Sequence, residues 1–365
     1  MAENKRNGKI ELMRFVFAIV IFFFHTSADD MIDGMNTGSD IFSFFRHGNM
    51  GVEFFFLVSG YLLAASAYKL KNENSISKNT FVFTYRKITA FFGFHIVAWI
   101  FAEISWFVLN RPEDSHAFWQ DFVMTLPSLF LIQKTGFKAI DPTVVEWYLS
   151  VLIICSFVLF ALVLRFKKNF TRIAAPVLGI LLVGALSRST GDISGVFDYV
   201  LNDSVSKAMV RGFSEMCLGI FSYEIVQYVK NLNVSKCAAR VMSAVEIGAY
   251  LIVFYYIVSK ESYSYEPYAL LALFVAVTLS FSNITFSADR LQNKLVYTLG
   301  KLSLPIYLAH RSAIRFTVCL NLHCSYAVKV LVSALITAVF CVVVHYVGMW
   351  LTKLIKNKFD PIVGL

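Results

Sequence analysis

The chain has 365 residues, of which 57% are hydrophobic and 16% are charged. Soluble domains average about 45–50% apolar and about 25% charged residues, so this composition excludes an ordinary soluble, disordered or disulfide-stabilised protein. The net charge of +9 would suit a nucleic-acid-binding protein if the chain were soluble. In a membrane protein the same excess is typical of cytoplasmic loops, and we therefore expect no nucleic-acid partner.

Ten apolar runs, most of them close to the roughly 20 residues that cross a bilayer, follow one another along the chain. They lie near residues 10–28, 51–68, 88–109, 144–164, 173–187, 207–228, 241–259, 267–284, 296–317 and 328–352. If all ten span, the basic residues concentrate on the side of the N-terminus, as in cytoplasmic loops. The sequence therefore predicts an all-α membrane helical bundle of ten transmembrane helices with cytoplasmic termini. We expect a single domain over residues 1–365, integral to the cell membrane.

Residues 118–133 form a weaker eleventh run that contains Asp121 and Pro127. If this run spanned the bilayer, Arg165 and the later basic loops would move outside, against the charge bias. We therefore predict an interfacial or re-entrant segment within the outer loop 110–143.

The first run carries the ionisable residues Glu11, Arg14 and His25. An ionisable side chain inside a span is energetically unfavourable, so these residues are functional candidates. Glu11 and Arg14 are three residues apart and are predicted to pair on one helix face. Arg14 and His25 are eleven residues apart, about three turns, so both side chains point the same way at a separation of about 16 Å along the axis.

The second run begins with Gly51-Val-Glu53 and continues through Ser59-Gly60. Because the first two spans are antiparallel, the start of the second lies at the depth of His25, and Glu53 is predicted to approach the imidazole. A carboxylate there fixes the tautomer and stabilises the imidazolium, as a general base requires. Ser59-Gly60 is predicted to be a notch where another helix packs closely.

Later runs add further candidates. Arg211 and Glu215 are four residues apart and are predicted to form a structural ion pair, with a position at the border of a cavity left open. Trp147 and Tyr307 can stack on a sugar or an acyl group, and aromatic side chains are also typical of membrane interfaces. The spacing of the Cys and His residues is not that of metal ligands, so no metal site is predicted.

Four motifs in this order resemble those of acyltransferase family 3. They are Glu11-Leu-Met-Arg14 with His25, Gly51–Leu63, Trp147-Tyr-Leu-Ser150, and Leu304-Pro-Ile-Tyr307-Leu-Ala-His310. The resemblance implies a membrane enzyme of about ten spans that moves an acyl group from a cytoplasmic acyl-coenzyme A to a hydroxyl group. The expected donor substrate is acetyl-coenzyme A, and no permanently bound cofactor is expected. The expected acceptor is a cell-surface or secreted polysaccharide or its lipid-linked precursor, so polysaccharide-synthesis machinery is a possible partner.

The resemblance places the family's essential Arg and His at Arg14 and His25, and its second-span acid at Glu53. His25 then acts as general base or as a transient acyl carrier, and both routes stay open. The predicted donor-binding cations are Arg14, Arg86 and Lys87. The predicted substrate-binding residues are Trp147, Tyr307, His310, Arg211 and Glu215. Arg311 stands where the family usually has proline.

The alternative hypothesis is a non-enzymatic membrane transporter or glycan exporter. In that case the charged residues line a permeation path and His25 relays protons. The sequence lacks the inverted repeat that is typical of many transporters, which favours the enzyme.

Overall fold

The computed structural model describes residues 6–27, 44–70, 75–110, 112–200, 202, 204–285 and 290–363. Helices dominate this part of the chain, and one pair of two-residue antiparallel strands, Tyr199–Val200 and Val205–Ser206, lies before the seventh helix. The α-helices are α1 (Gly8–Ser27), α2 (Met50–Tyr68), α3 (Ile76–Asn110), α4 (Ser115–Leu129), α5 (Trp147–Asn169), α6 (Ala175–Thr190), α7 (Lys207–Lys230), α8 (Lys236–Val258), α9 (Glu266–Ser282), α10 (Lys294–Cys319) and α11 (Tyr326–Val363).

Each of the ten predicted apolar runs lies on a helix, so the chain is an all-α membrane protein, while the count of ten spans stays a prediction. Within the described residues, six helical segments are long and apolar enough to cross a bilayer. They are Met50–Tyr68, Ile76–Asn110, Trp147–Thr190, Lys236–Val258, Tyr263–Ser282 and Tyr326–Val363. The helices α1, α7 and α10 lie outside this set, and they are the helices that carry most of the ionisable site candidates.

The segment Trp147–Thr190 contains two of the predicted runs, and its backbone leaves helical geometry between them. Lys167 has a φ of 46°, and a short π-helix over Phe170–Ala174 leads into α6. A basic side chain at a positive φ is uncommon within a helix. The irregular backbone therefore separates the two runs as the sequence predicts.

The weak run near residues 118–133 forms α4, which has 15 residues and contains Pro127. Asp114 caps its start by accepting a hydrogen bond from the backbone N–H of Ala117 at 2.8 Å. A helix of this length rises about 22 Å, which is short of the hydrocarbon core. The helix length therefore favours an interfacial or re-entrant segment.

Glycine residues allow the closest contacts between helices. A Cβ atom added at Gly60 of α2 would lie 2.1 Å from the carbonyl oxygen of Met216, and one at Gly219 of α7 would lie 2.1 Å from that of Leu57. The predicted notch at Ser59-Gly60 is thus confirmed as the place where α7 packs on α2. Gly300 likewise lets α10 pack closely on α1, since a Cβ atom added there would lie 2.1 Å from Glu11 Oε2.

Candidate functional site

His25 lies near the end of α1 and faces α10, which the contact at Gly300 brings close. Its ring centroid is 5.2 Å from that of His310, with 29° between the ring planes. Its Nδ1 atom is 3.4 Å from Nη1 of Arg311. The late motif of α10 therefore supplies the two groups beside the imidazole, and His310 is fully buried there.

Glu53 has a different partner from the predicted one. Its carboxylate accepts a hydrogen bond from Nη2 of Arg211 on α7, and both side chains are buried. The physical reason is that α7 packs directly on α2, and a guanidinium is a stronger partner for a carboxylate than an imidazole is. The predicted pairing of Glu53 with His25 is therefore corrected to a pairing with Arg211.

Arg211 contacts several buried groups at once. Its Nε atom lies 3.4 Å from Oε1 of Glu215, so the predicted ion pair is present. Its Nη1 atom donates to the backbone oxygen of Ser194 at 2.7 Å, and its guanidinium carbon lies 5.4 Å from the ring centroid of Trp147. One guanidinium thus serves two carboxylates, Glu53 and Glu215, and one oxygen of each has no hydrogen-bond partner among the described residues.

A third buried carboxylate, which the sequence analysis missed, belongs to Glu266 at the start of α9. It accepts hydrogen bonds from the side-chain amide of Asn49 and from the backbone N–H of Ile193, the latter at 2.9 Å. Glu266 followed by Pro267 at the start of an apolar run is an ordinary helix N-terminus, so the sequence signal was one of capping and not of a site.

The segment that follows α6 is fixed to the start of α7 by an ion pair. Lys207 is fully buried and its Nζ atom donates to Oδ1 of Asp192 at 2.7 Å. The same carboxylate accepts from the backbone N–H groups of Ser194 and Gly195 at 2.9 and 3.0 Å. Partial burial alone would raise the pKa of Asp192, but these hydrogen bonds and the ammonium charge outweigh it, and the pKa lies below its usual value.

These elements line a partly open cavity, which we call the His25 cavity. It has a volume of about 410 Å³ and is lined by His25, Arg211 and Arg311 together with aromatic and small polar side chains. The other lining side chains that bear on chemistry are Phe24, Asn49, Trp147, Asp192, Ser194, Phe197, Tyr263 and Tyr307. Aromatic faces combined with hydroxyl, amide and carboxylate groups provide the contacts that a sugar needs.

The second cavity, which we call the Arg14 cavity, has a volume of about 490 Å³ and is lined by Arg6, Arg14 and Lys87. The Nη1 atom of Arg14 lies 3.6 Å from Oε1 of Glu11, which confirms the predicted ion pair. Lys87 also donates to Oγ of Ser156 at 2.8 Å. Several positive charges in one cavity are suited to a polyanionic ligand.

Arg86 lines a third cavity of about 450 Å³ rather than the Arg14 cavity. The two cavities share Ser59, Leu62 and Lys87 in their linings, so they adjoin along α2 and α3. The three cations predicted to bind the donor therefore line two adjoining cavities, and Lys87 lines both.

Tyr307 is the residue that the His25 and Arg14 cavities share among their described lining residues. Its hydroxyl donates to the backbone oxygen of Val145 at 2.5 Å. Arg315, on the same helix, donates to the backbone oxygen of Pro142. Val144, which lines the His25 cavity, has a φ of 62°, a strained conformation for a β-branched residue. The segment before α5 is thus held in a strained form beside the cavity.

A buried pair also supports this segment, although sequence analysis assigned it no role. His95 Nδ1 lies 2.8 Å from Oε2 of Glu146, and His95 Nε2 lies 2.9 Å from the backbone oxygen of Leu129. A carbonyl oxygen only accepts, so Nε2 carries a proton, and a second proton is shared between Nδ1 and the carboxylate. The pair fixes Glu146 immediately before Trp147. Across the described residues, no group of three or more His, Cys, Asp or Glu side chains is arranged to hold a metal ion.

Comparison with known proteins gives one match. A family model described as an acyltransferase domain, that of acyltransferase family 3, matches residues 7–352, which include every helix that lines the two cavities. No curated protein and no solved structure matches the chain.

Proposed function

The chain belongs to acyltransferase family 3, and we propose that it is a membrane O-acyltransferase of glycans. It moves an acetyl group from cytoplasmic acetyl-coenzyme A to a hydroxyl of a cell-surface or secreted polysaccharide or its lipid-linked precursor. It works in the cell membrane, beside the machinery that makes the polysaccharide. The observation that carries the proposal is that a cationic cavity and a cavity containing His25 meet at one side chain, Tyr307.

The Arg14 cavity receives the donor in this proposal. Coenzyme A carries several phosphates on a long thin arm, and phosphates bind Arg and Lys through charge-assisted hydrogen bonds. Arg14 and Lys87 line this cavity, and Arg86 lines the adjoining one. With the phosphates held by these cations, the arm points its thioester toward Tyr307.

The His25 cavity receives the acceptor. Trp147, Phe197 and Tyr263 offer ring faces, while Asn49 and Asp192 offer groups that hydrogen-bond to hydroxyls. Both cavities are required because the donor is cytoplasmic and the acceptor is not. The two substrates then meet within the bundle, where water is excluded.

In the transfer step His25 takes the proton of the acceptor hydroxyl while that oxygen attacks the thioester carbonyl carbon. A carbon–oxygen bond forms, the carbon–sulfur bond breaks, and the thiolate leaves with the proton that His25 returns. In the second route the imidazole attacks the thioester carbon and expels the thiolate; the acceptor oxygen then takes the acyl group from His25 as the carbon–nitrogen bond breaks, and its proton passes to the thiolate. Among the described residues, Arg311 is the charged group beside the ring, and Glu53 pairs with Arg211, so neither route uses Glu53 as the orienting carboxylate.

Glu53 is a positioning residue in this scheme. It holds Arg211, whose guanidinium lines the His25 cavity over the ring of Trp147. Loss of Glu53 therefore acts through Arg211 and the acceptor, not through the proton transfer at His25.

The test is transfer of labelled acetyl groups from acetyl-coenzyme A to glycan in membranes that contain His25→Ala. A general base contributes about 10²–10⁴-fold to rate, so transfer should fall at least about 100-fold while the protein still accumulates. His345→Ala is the matched control, because His345 lies on α11 with its ring 6.4 Å from Phe94 and lines neither cavity. Full activity of the His25 variant contradicts the assignment.

A second experiment separates the enzyme from the exporter. Deletion of the protein should remove acetyl esters from the surface glycan, as measured by mass analysis. An exporter would instead bind no acetyl-coenzyme A and leave the ester content of the glycan unchanged.

A further inference from the structure

Three aromatic rings that line the Arg14 cavity lie together, and one of them, Tyr307, also lines the His25 cavity. They belong to Phe55 on α2, Tyr148 on α5 and Tyr307 on α10. The ring centroids are 6.2 Å apart for Phe55 and Tyr148, 6.3 Å for Phe55 and Tyr307, and 5.9 Å for Tyr148 and Tyr307. Each ring therefore contacts both others, and we call the three residues the aromatic triangle.

The aromatic triangle is held in place by polar anchors. Tyr307 donates to the backbone oxygen of Val145 at 2.5 Å, and the hydroxyl of Tyr148 lies 3.4 Å from Oγ of Ser59. Phe55 has no polar anchor and packs edge-on against Phe54, with ring centroids 5.5 Å apart. Both tyrosines are thus held by their hydroxyl groups as well as by their backbone, whereas the ring of Phe55 is held by packing alone.

The reacting carbonyl carbon lies beside the aromatic triangle, an inference that rests on the proposed function. The donor phosphates are held by cations of the Arg14 cavity, and the acceptor oxygen approaches from the His25 cavity. Of the described residues that line these cavities, Tyr307 alone lines both, so the carbonyl that both substrates must reach lies next to it. The alkyl part of the acyl group then extends among the three rings.

The space among the rings is small. The three centroid separations of 5.9–6.3 Å place the point equidistant from the centroids about 3.5 Å from each. Carbon atoms in contact lie about 3.5–4.0 Å apart, and the atoms of a tilted ring lie closer than its centroid, so the space admits at most one carbon atom. A second carbon atom, as in a propionyl group, requires one of the rings to move.

We propose that Phe55, Tyr148 and Tyr307 form an acyl-length filter that restricts transfer to the acetyl group. One extra methylene in a closely fitting apolar pocket is typically discriminated by about 10–200-fold. The protein should therefore prefer acetyl- over propionyl-coenzyme A by at least about 10-fold, and should exclude butyryl-coenzyme A more strongly.

Phe55→Ala is the decisive variant, because Phe55 has no polar anchor to lose. Membranes are supplied with acetyl- and propionyl-coenzyme A together, each with a different radiolabel, and the ratio of the two esters on the glycan is measured. This ratio does not depend on how much protein folds. We expect Phe55→Ala to bring it close to one, and Phe55→Leu to give an intermediate value that decides the matter if the alanine variant fails to accumulate.

Phe221→Ala is the matched control. Phe221 is half-buried like Phe55, and its ring centroid lies 6.2 Å from that of Phe274. It lines neither cavity, so its loss should leave the ester ratio unchanged. Absence of transfer from any donor by the unaltered protein contradicts the proposed function. Acetyl transfer with an unchanged ratio in both Phe55 variants overturns the filter and leaves the proposed function standing.

Discussion

Replacement of Arg211 by methionine should destabilise the protein more than replacement of either of its carboxylate partners. Arg211 is 1% exposed, and Glu53 and Glu215 are 0% exposed. Methionine keeps most of the side-chain length but leaves both carboxylates buried without a cation. Removal of one partner of a buried ion pair costs about 3–5 kcal/mol. The hydrogen bond to Ser194 adds about 1 kcal/mol, so we expect a loss of about 4–6 kcal/mol.

A double-mutant cycle separates the ion pair from simple loss of packing. Glu53→Gln leaves Arg211 paired with Glu215 and should cost about 1–3 kcal/mol. The combination of Glu53→Gln with Arg211→Met removes both charges and should be less destabilising than the sum of the two by about 2 kcal/mol.

The assay is unfolding of the purified protein in mixed micelles with increasing dodecyl sulfate, followed by tryptophan fluorescence. Arg188→Met is the matched control, since Arg188 is an exposed residue in the last turn of α6 and its loss should change stability by less than about 0.5 kcal/mol. An Arg211→Met variant within 1 kcal/mol of the unaltered protein, or fully additive effects in the cycle, would refute the argument from buried charge.

Two further predictions use the same unfolding assay. Gly60→Ala should destabilise the protein by about 1–3 kcal/mol, because its Cβ would lie 2.1 Å from the carbonyl oxygen of Met216. Gly248→Ala, where nothing lies within 4 Å, should leave stability unchanged or raise it, and equal effects of the two would contradict the packing argument. Asp192→Asn should cost about 1–3 kcal/mol at pH 7, because the buried ammonium of Lys207 loses its closest anion. The pKa of Asp192 is lowered on folding, so its contribution is present above its usual pKa of 3.8 and is lost as the pH falls below it. The stability difference between the unaltered protein and Asp192→Asn should therefore shrink at acid pH, and a constant difference would oppose this reasoning.

The helices could be predicted because the length and apolarity of a run are local properties of the sequence. Each predicted apolar run lies on a helix, and the weak run that contains Pro127 forms the short helix α4. The pair of Glu11 with Arg14 and the pair of Arg211 with Glu215 were equally local, since side chains three or four residues apart share a helix face. The small-residue notch at Gly60 was also visible, although the sequence did not indicate that α7 fills it.

The partner of Glu53 could not be predicted, because it depends on which helices touch. The sequence places α2 antiparallel to α1 across one loop, with the start of α2 at the depth of His25, and this favoured His25 as the partner. The structure packs α7 on α2 through Gly60 and Gly219, which brings a guanidinium from 158 positions away. Phe55 was missed for the same reason, since one phenylalanine among 36 carries no signal until two tyrosines from other helices face it.

Hydropathy also indicates where the site lies, because the least apolar long helices line it. Of the described helices that are long enough to span, α7 and α10 are the least apolar, and they supply Arg211 and Arg311 to the cavity that also contains His25 of α1. An ionisable side chain inside a membrane helix must be satisfied by another helix, so helices with such residues are driven together and away from lipid. The packing confirms this, because α10 contacts α1, and α7 buries Arg211 against α2. The two least apolar long helices, α7 and α10, therefore line the reaction space, while α8 and α11 keep much of their apolar surface exposed on the outside of the bundle.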